Sequence, residues 1–179
     1  MSELTLVVPS AAYGEQILAY RADFDQSGEH LHVGARLETL SDLEDWLRHV
    51  AAITTPAGVE QGRVPSSTFL CLRQSDQKMV GICNIKHSLD QPFLVNFAGH
   101  IGYSIHPEER RQGYAKEQLR LALLEAGQLG LDRVLVTCDE ANLGSEKTIL
   151  ACGGQYENTY QDPDDGSRKK RFWIEVPHE

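Results

Sequence analysis

The segment Ile105-His106-Pro107-Glu108-Glu109-Arg110-Arg111-Gln112-Gly113-Tyr114-Ala115 constrains the fold more than any other stretch of the chain. An alternating apolar run ends at Ile105, a proline and charged residues turn the chain, and a helix-forming sequence opens at Gly113. The first amides of a helix have no partner within it. The aligned peptide dipoles add about half a positive charge at that end. Arg110 and Arg111 bring full charges, Gly113 permits a nest-like backbone, and Ala115 leaves room for close approach. The segment is therefore expected to form an anion cradle suited to a diphosphate. The pattern G-x-x-x-x-G-K-[ST] is absent, which excludes a Walker A loop. A single glycine stands where a dinucleotide fingerprint needs three.

The rest of the chain supplies elements on both sides of this turn. Residues 3–8 read as a short strand, and Pro9-Ser10 opens a helix with Tyr13, Ile17, Tyr20 and Phe24 on one face. Ser41-Asp42-Leu43-Glu44 reads as a capping box, with Ser41 as the cap. Leu43, Trp46, Leu47, Val50 and Ile53 follow on one side of a second helix. Proline and glycine mark 54–65 as a loop. Two strands, at 68–72 and 79–85, form an antiparallel hairpin. A long strand is expected from Leu94 to Ile105, where Phe97, Ile101, Tyr103 and Ile105 alternate with small or polar residues. A helix from Gly113 to Leu129 with Ala115, Leu119, Ala122, Leu123 and Ala126 on one face, a buried strand at 133–138, a short helix from Asn142 to Cys152 and strands near 154–161 and 168–176 complete the order. The pattern is a mixed α/β sheet flanked by helices, with one domain filling 1–179.

Composition narrows the function. The formal charge of −9 disfavours a general nucleic-acid binder, because phosphate neutralisation needs clustered cations. The run Arg168-Lys169-Lys170-Arg171 reads instead as an edge strand protected by charge. Glu38, Asp42, Glu44 and Asp45, around the second helix, either recruit a cationic substrate or form a solvated helix face. The four cysteines contain no C-x-x-C pair and read as free thiols, with no structural zinc. His30-Leu31-His32 lacks a third ligand, so no metal is expected. No apolar run approaches a membrane span, and Met1-Ser2-Glu3-Leu4 lacks a basic leader; a cytoplasmic protein with no membrane partner is expected. Trp46 and Trp173 read as core or cleft wall.

Arg110-x-x-Gly113-x-Ala115 matches [RQ]-x-x-G-x-[GA], and Asn142-Leu143-Gly144-Ser145 and Gly153-Gly154 follow in order. Over about 60–176 this resembles the core of the GNAT N-acetyltransferases, bacterial members of unassigned substrate in particular. The resemblance implies the GNAT acyl-CoA N-acyltransferase fold, a mostly antiparallel sheet of about six to seven strands with a splayed central pair. It also implies a CoA-binding core at about 94–155.

In the family the loop amides hold the CoA pyrophosphate, which carries over to Arg110, Arg111, Gln112, Gly113, Tyr114, Ala115 and Lys116. Tyr103, Ser104 and Ile105 would pair with the pantetheine arm, Asn142 and Ser145 would touch its end, and Lys147 would lie near a phosphate. The implied reaction is attack of an amine, from a small molecule or a peptide, on acetyl-CoA as co-substrate. The family commonly forms dimers. Many members carry a tyrosine acid seven residues after the asparagine; this chain has Ile149 there. Ser145 and Cys152 are the substitutes considered, and His100, on the strand leading into the loop, is the candidate base. The alternative is an acyl-CoA-binding sensor that kept the fold and lost the chemistry.

Overall fold

The computed structural model describes residues 2–31, 33–39 and 42–178. Among these residues seven strands and four α-helices follow in the order β1 (Leu4–Val7), α1 (Gly14–Ser27), α2 (Leu43–Ala52), β2 (Ser66–Arg73), β3 (Lys78–Lys86), β4 (Ile101–Ile105), α3 (Tyr114–Gln128), β5 (Arg133–Asp139), α4 (Leu143–Ala151), β6 (Gln155–Gln161) and β7 (Arg168–Glu175). Among the described residues all ladders are antiparallel and fall into two sheets, β1-β2-β3-β4 and β5-β7-β6.

Alternation along the strands sends successive side chains to opposite faces, and each face has its own helices. Leu70, Leu72 and Ile82 pack with Ile17, Tyr20 and Phe24 of α1 and Trp46 and Val50 of α2. Cys83, Ile85 and Ile101 pack on the other face with Leu119, Ala122 and Leu123 of α3, Ile149 of α4 and Val134, Val136 and Phe172 of the second sheet. The apolar stripes expected on the first three helices are therefore core-facing. Removing this surface from water is the main stabilising contribution, at about 25 cal/mol per Å² of apolar area.

Several local expectations are corrected. Ser41 lies outside the described residues, and the cap of α2 is Asp42, whose Oδ1 accepts from Glu44 N at 2.9 Å. The strand expected from Leu94 to Ile105 begins only at Ile101. Leu94–Ala98 form a π-helical turn. Its carbonyls find side chains instead of a neighbouring strand: Arg171 Nε and Nη2 donate to Val95 O at 3.0 and 2.8 Å, and Thr137 Oγ1 donates to Phe97 O at 2.8 Å. The basic run Arg168–Arg171 is not at an edge, since β7 lies between β5 and β6. Each of its cations meets a carboxylate: Glu140, Asp139, Glu146 and Glu157 in turn.

The two sheets meet at His100, where the chain changes partners. Its N–H donates to Leu135 O at 2.8 Å, while its C=O accepts from Lys86 N of β3 at 2.7 Å. Its Nδ1 also accepts from Leu135 N at 2.9 Å, so the neutral imidazole carries its proton on Nε2. Gly99 makes this approach possible: its φ is 71°, and a Cβ there would stand 2.5 Å from Leu135 O. Beyond this point β4 and β5 share no ladder, which is the splayed pair.

His100 is 5% exposed, and burial lowers its pKa from 6.5 to about 4. Between those pH values the unfolded chain binds a proton that the folded chain does not, so stability falls as pH falls from 6.5 towards 4. His100→Ala strands the buried Leu135 N–H and is expected to cost about 1–3 kcal/mol at neutral pH. His100→Asn, whose Oδ1 can take the place of Nδ1, should keep most of that stability and lose less of it on acidification. Urea denaturation of both variants from pH 7.5 to 4.5 checks the prediction. An acid slope in His100→Asn as steep as that of the parent chain would show that the junction does not titrate this way.

Candidate functional site

A cleft of about 780 Å³ opens where β4 and β5 part. The pairing with β3 fixes what β4 presents to it. Lys86 N donates to His100 O and His106 N to Val80 O. Alternation between these two bonds points the backbone groups of Gly102 and Ser104 at β3. Those of Ile101, Tyr103 and Ile105 face the split, where no strand pairs with them.

The turn after β4 is a short 3-10 helix, Pro107–Glu109, followed by α3. His106 caps the 3-10 turn: its Nδ1 accepts from Glu108 N at 3.1 Å, and its Nε2–H donates to Asp23 Oδ2 of α1 at 2.7 Å. Glu109 is a buried carboxylate that fastens the loop to the sheet. It binds Lys78 at 2.9 Å, Arg73 at 2.7 Å and Gln112 Nε2 at 3.0 Å, and these donors hold its pKa below the usual range. Glu117, in the first turn of α3, accepts from the N–H groups of Glu3 and Leu4 at 2.7 and 3.1 Å.

Arg111 and Gly113 adopt positive φ, 65° and 82°. For arginine this costs on the order of 1 kcal/mol, a cost held by the surrounding contacts. The result is a nest of backbone amides. Among the described residues, the N–H groups of Arg111 through Lys116 donate to no protein acceptor. A Cβ at Gly113 would meet nothing within 4 Å, so any larger side chain there projects into open space before these amides.

Side-chain charge follows the same logic. Arg110 folds back onto the protein: Nε donates to Ile105 O at 3.2 Å, Nη1 meets Glu29 at 2.9 Å, and the guanidinium lies 5.9 Å from the Phe24 ring centre. Arg111, Lys116 and Lys147 line the cleft and make no ion pair among the described residues. A protein of net charge −9 thus keeps three unpaired cations around one row of free amides.

The cleft wall gathers most of the residues singled out in the sequence. Tyr103, Ser104 and Ile105 come from β4, Arg110, Arg111, Gly113, Tyr114, Ala115 and Lys116 from the loop and α3, and Asn142, Ser145 and Lys147 from α4. Asn142 caps α4, with Oδ1 accepting from Ser145 N at 3.1 Å. Gln112 is outside the wall and serves through Glu109. Cys152 is half-buried outside it, with Sγ 3.5 Å from Lys116 O and its thiol pKa raised by burial.

His100 is not in the wall either. It sits at the base of the split with its one lone pair occupied by Leu135 N–H, so it has no free site to take a proton. Eight residues of the wall were missed: Phe24, Glu29, His30 and Val33 from α1 and the connection after it, and Glu109, Gly144, Thr148 and Ala151 from the loop and α4. Trp46 Nε1 holds that connection by donating to Gly34 O at 2.9 Å. His30 Nδ1 lies 3.1 Å from Glu38 Oε1, while His32 lies outside the described residues. The sequence signals on this side were the Phe24 position on the α1 stripe and His30, weighed there only as a metal ligand. Among the described residues no group of side chains could hold a metal, and no helix is long and apolar enough to cross a membrane.

A family model described as an acetyltransferase (GNAT) domain matches residues 4–155. No curated protein sequence matches the chain. Solved structures of similar fold include the microcin C7 self-immunity acetyltransferase MccE in complex with acetyl-CoA and AMP, at 16% identity and TM-score 0.67, covering 98% of this chain and 94% of that one. RimL, a ribosomal L7/L12 alpha-N-protein acetyltransferase in complex with coenzyme A, is 16% identical with TM-score 0.65, covering 98% and 96%. A dodecameric spermidine N-acetyltransferase from Vibrio cholerae is 13% identical with TM-score 0.64, covering 97% and 94%. At these identities the likeness is one of fold.

Gly113→Glu would place a strained backbone and a negative charge in front of the free amides. It is expected to weaken coenzyme A binding by at least about tenfold, or 1.4 kcal/mol, in a calorimetric titration. Affinity equal to that of the parent chain would rule out this loop as the diphosphate site.

Proposed function

This chain belongs to the GNAT acetyltransferase family, and from that premise we propose that it moves the acetyl group of acetyl-CoA to a primary amine by direct attack. One observation carries the reading: the free amides of Arg111 through Lys116 share a cleft with the unpaired cations Arg111, Lys116 and Lys147. Such a cradle fits a diphosphate, and the pantetheine arm then has the unpaired N–H and C=O of Tyr103 and the N–H of Ile105 to lie against as an added strand.

The roles follow from position. The β4 N–H groups that face the split donate to the thioester oxygen as negative charge develops there, in an oxyanion-type role. Ser145, on the opposite wall, donates a hydrogen bond to the departing sulfur. The base role suggested for His100 passes to His30, the imidazole that the connection after α1 brings to the cleft wall beside Glu38. The acceptor is a small-molecule or peptide amine, entering from the side that Glu29, His30 and Val33 border. Ile149 is fully buried, which favours a second reading, a sensor that binds acyl-CoA without turnover.

A panel of amines with thiol detection separates the two. Acetyl-CoA should raise the melting temperature by mass action, and at least one amine should release free CoA. Stabilisation with silence across a broad panel would favour the sensor, and absence of stabilisation would sink both. With an active amine in hand, His30→Gln is expected to lower kcat by about a hundredfold or more while leaving coenzyme A affinity unchanged. A kcat equal to that of the parent chain would take the base role from His30.

A further inference from the structure

Tyr103 and Ser145 reach towards each other from opposite walls of the cleft, β4 and α4, and their hydroxyl oxygens lie 3.0 Å apart. This bond is not needed to finish a helix end, because Asn142 Oδ1 already satisfies Ser145 N–H. One turn on, Ile149 is buried in the core and offers no donor. The two hydroxyls are chemically unequal. A phenol is the more acidic partner and the better donor; an aliphatic alcohol oxygen is the better acceptor.

We propose that Tyr103 is a positioning residue for the leaving group: its O–H donates to Ser145 Oγ and so turns the serine proton towards the sulfur of the bound thioester. The inference rests on the reading that this cleft holds acetyl-CoA. Burial pushes the Tyr103 phenol up to about 12, so it stays protonated near neutrality and keeps donating. Hydrogen bonds in series polarise one another, which strengthens the one that Ser145 makes to sulfur.

The balance of the step is simple. The amine nitrogen forms a bond to the acetyl carbon, the C–S bond breaks, and its electron pair goes to sulfur. The amine loses one proton to the base, and the thiolate gains one from water. Tyr103 and Ser145 keep their own protons throughout. Their effect is to make the thiol of bound CoA more acidic, and that can be measured without an acceptor.

The experiment titrates the CoA thiol in its complex with the whole chain, following thiolate absorbance in the ultraviolet. In the parent chain the bound thiol should be more acidic than in free CoA. Tyr103→Phe, which keeps the ring and its packing, should lower the acid dissociation constant of the bound thiol by about threefold to tenfold, the worth of one neutral hydrogen bond. CoA affinity should hold, since Tyr103 meets the arm through its backbone. Ser145→Ala should have a similar effect, and the double variant no more than Ser145→Ala alone. A fluorotyrosine at position 103, a stronger donor, should shift the thiol the other way. An unchanged thiol in Tyr103→Phe overturns the proposal, as does a full Tyr103 effect without Ser145. If the parent chain fails to bind CoA, the acetyl-CoA reading itself falls, which is a separate result.

Discussion

Two hydrogen bonds between His100 and Leu135 hold this architecture in register. They are made at the point where the sheets meet, one through the backbone and one through an imidazole that acts as a surrogate carbonyl. Everything beyond them diverges. The N–H and C=O of Tyr103 and the N–H of Ile105 face open space because the neighbouring strand has already turned away. Unpaired backbone groups beside a buried core are costly, and proteins rarely keep them without a use. Here they line the wall of the cleft opposite α4.

The loop itself is held in place by ion pairs and hydrogen bonds to its neighbours. Glu109 draws two cations and Gln112 under it, His106 joins it to α1, and Glu117 ties the first turn of α3 to β1. These contacts explain how Arg111 can remain at φ 65° with its amide and its side chain both turned outward. A site with its donors already oriented has no reorganisation to make when charge arrives. The same contacts leave Arg110 to Glu29 and Phe24, so the residue that is most conspicuous in the motif is partly occupied with α1.

What the sequence made legible was local. Gly113, Ala115, Asn142 and Ser145 announce themselves because a turn, a helix start and a cap each need particular residues within a few positions. The apolar stripes of α1, α2 and α3 were legible for the same reason. His100 was not, since its role depends on Leu135, and its alternation with Ile101 resembled that of any strand residue. The π-helical turn at Leu94–Ala98 was hidden behind an alternating pattern, and Arg171, which holds it, comes from β7. The wall formed by Glu29, His30 and Val33 was invisible for a further reason: a connection between helices carries no periodicity, so only the packing of Trp46 on Gly34 reveals where it lies.

The three unpaired cations of the cleft sit inside a molecule whose net charge is −9. The sign of the field therefore depends on distance. Beyond a screening length of about 10 Å at 0.1 M salt a polyanion is attenuated from the protein's repulsion, and at lower salt it feels more of it; close to the cleft it meets attraction. Association and residence then respond to ionic strength in opposite ways: moderate salt speeds the approach of an anionic ligand by hiding the acidic surface, and it shortens the stay by weakening the cradle. A chain built this way favours the cleft at the end of β4 over its net acidic surface as a place for an anion.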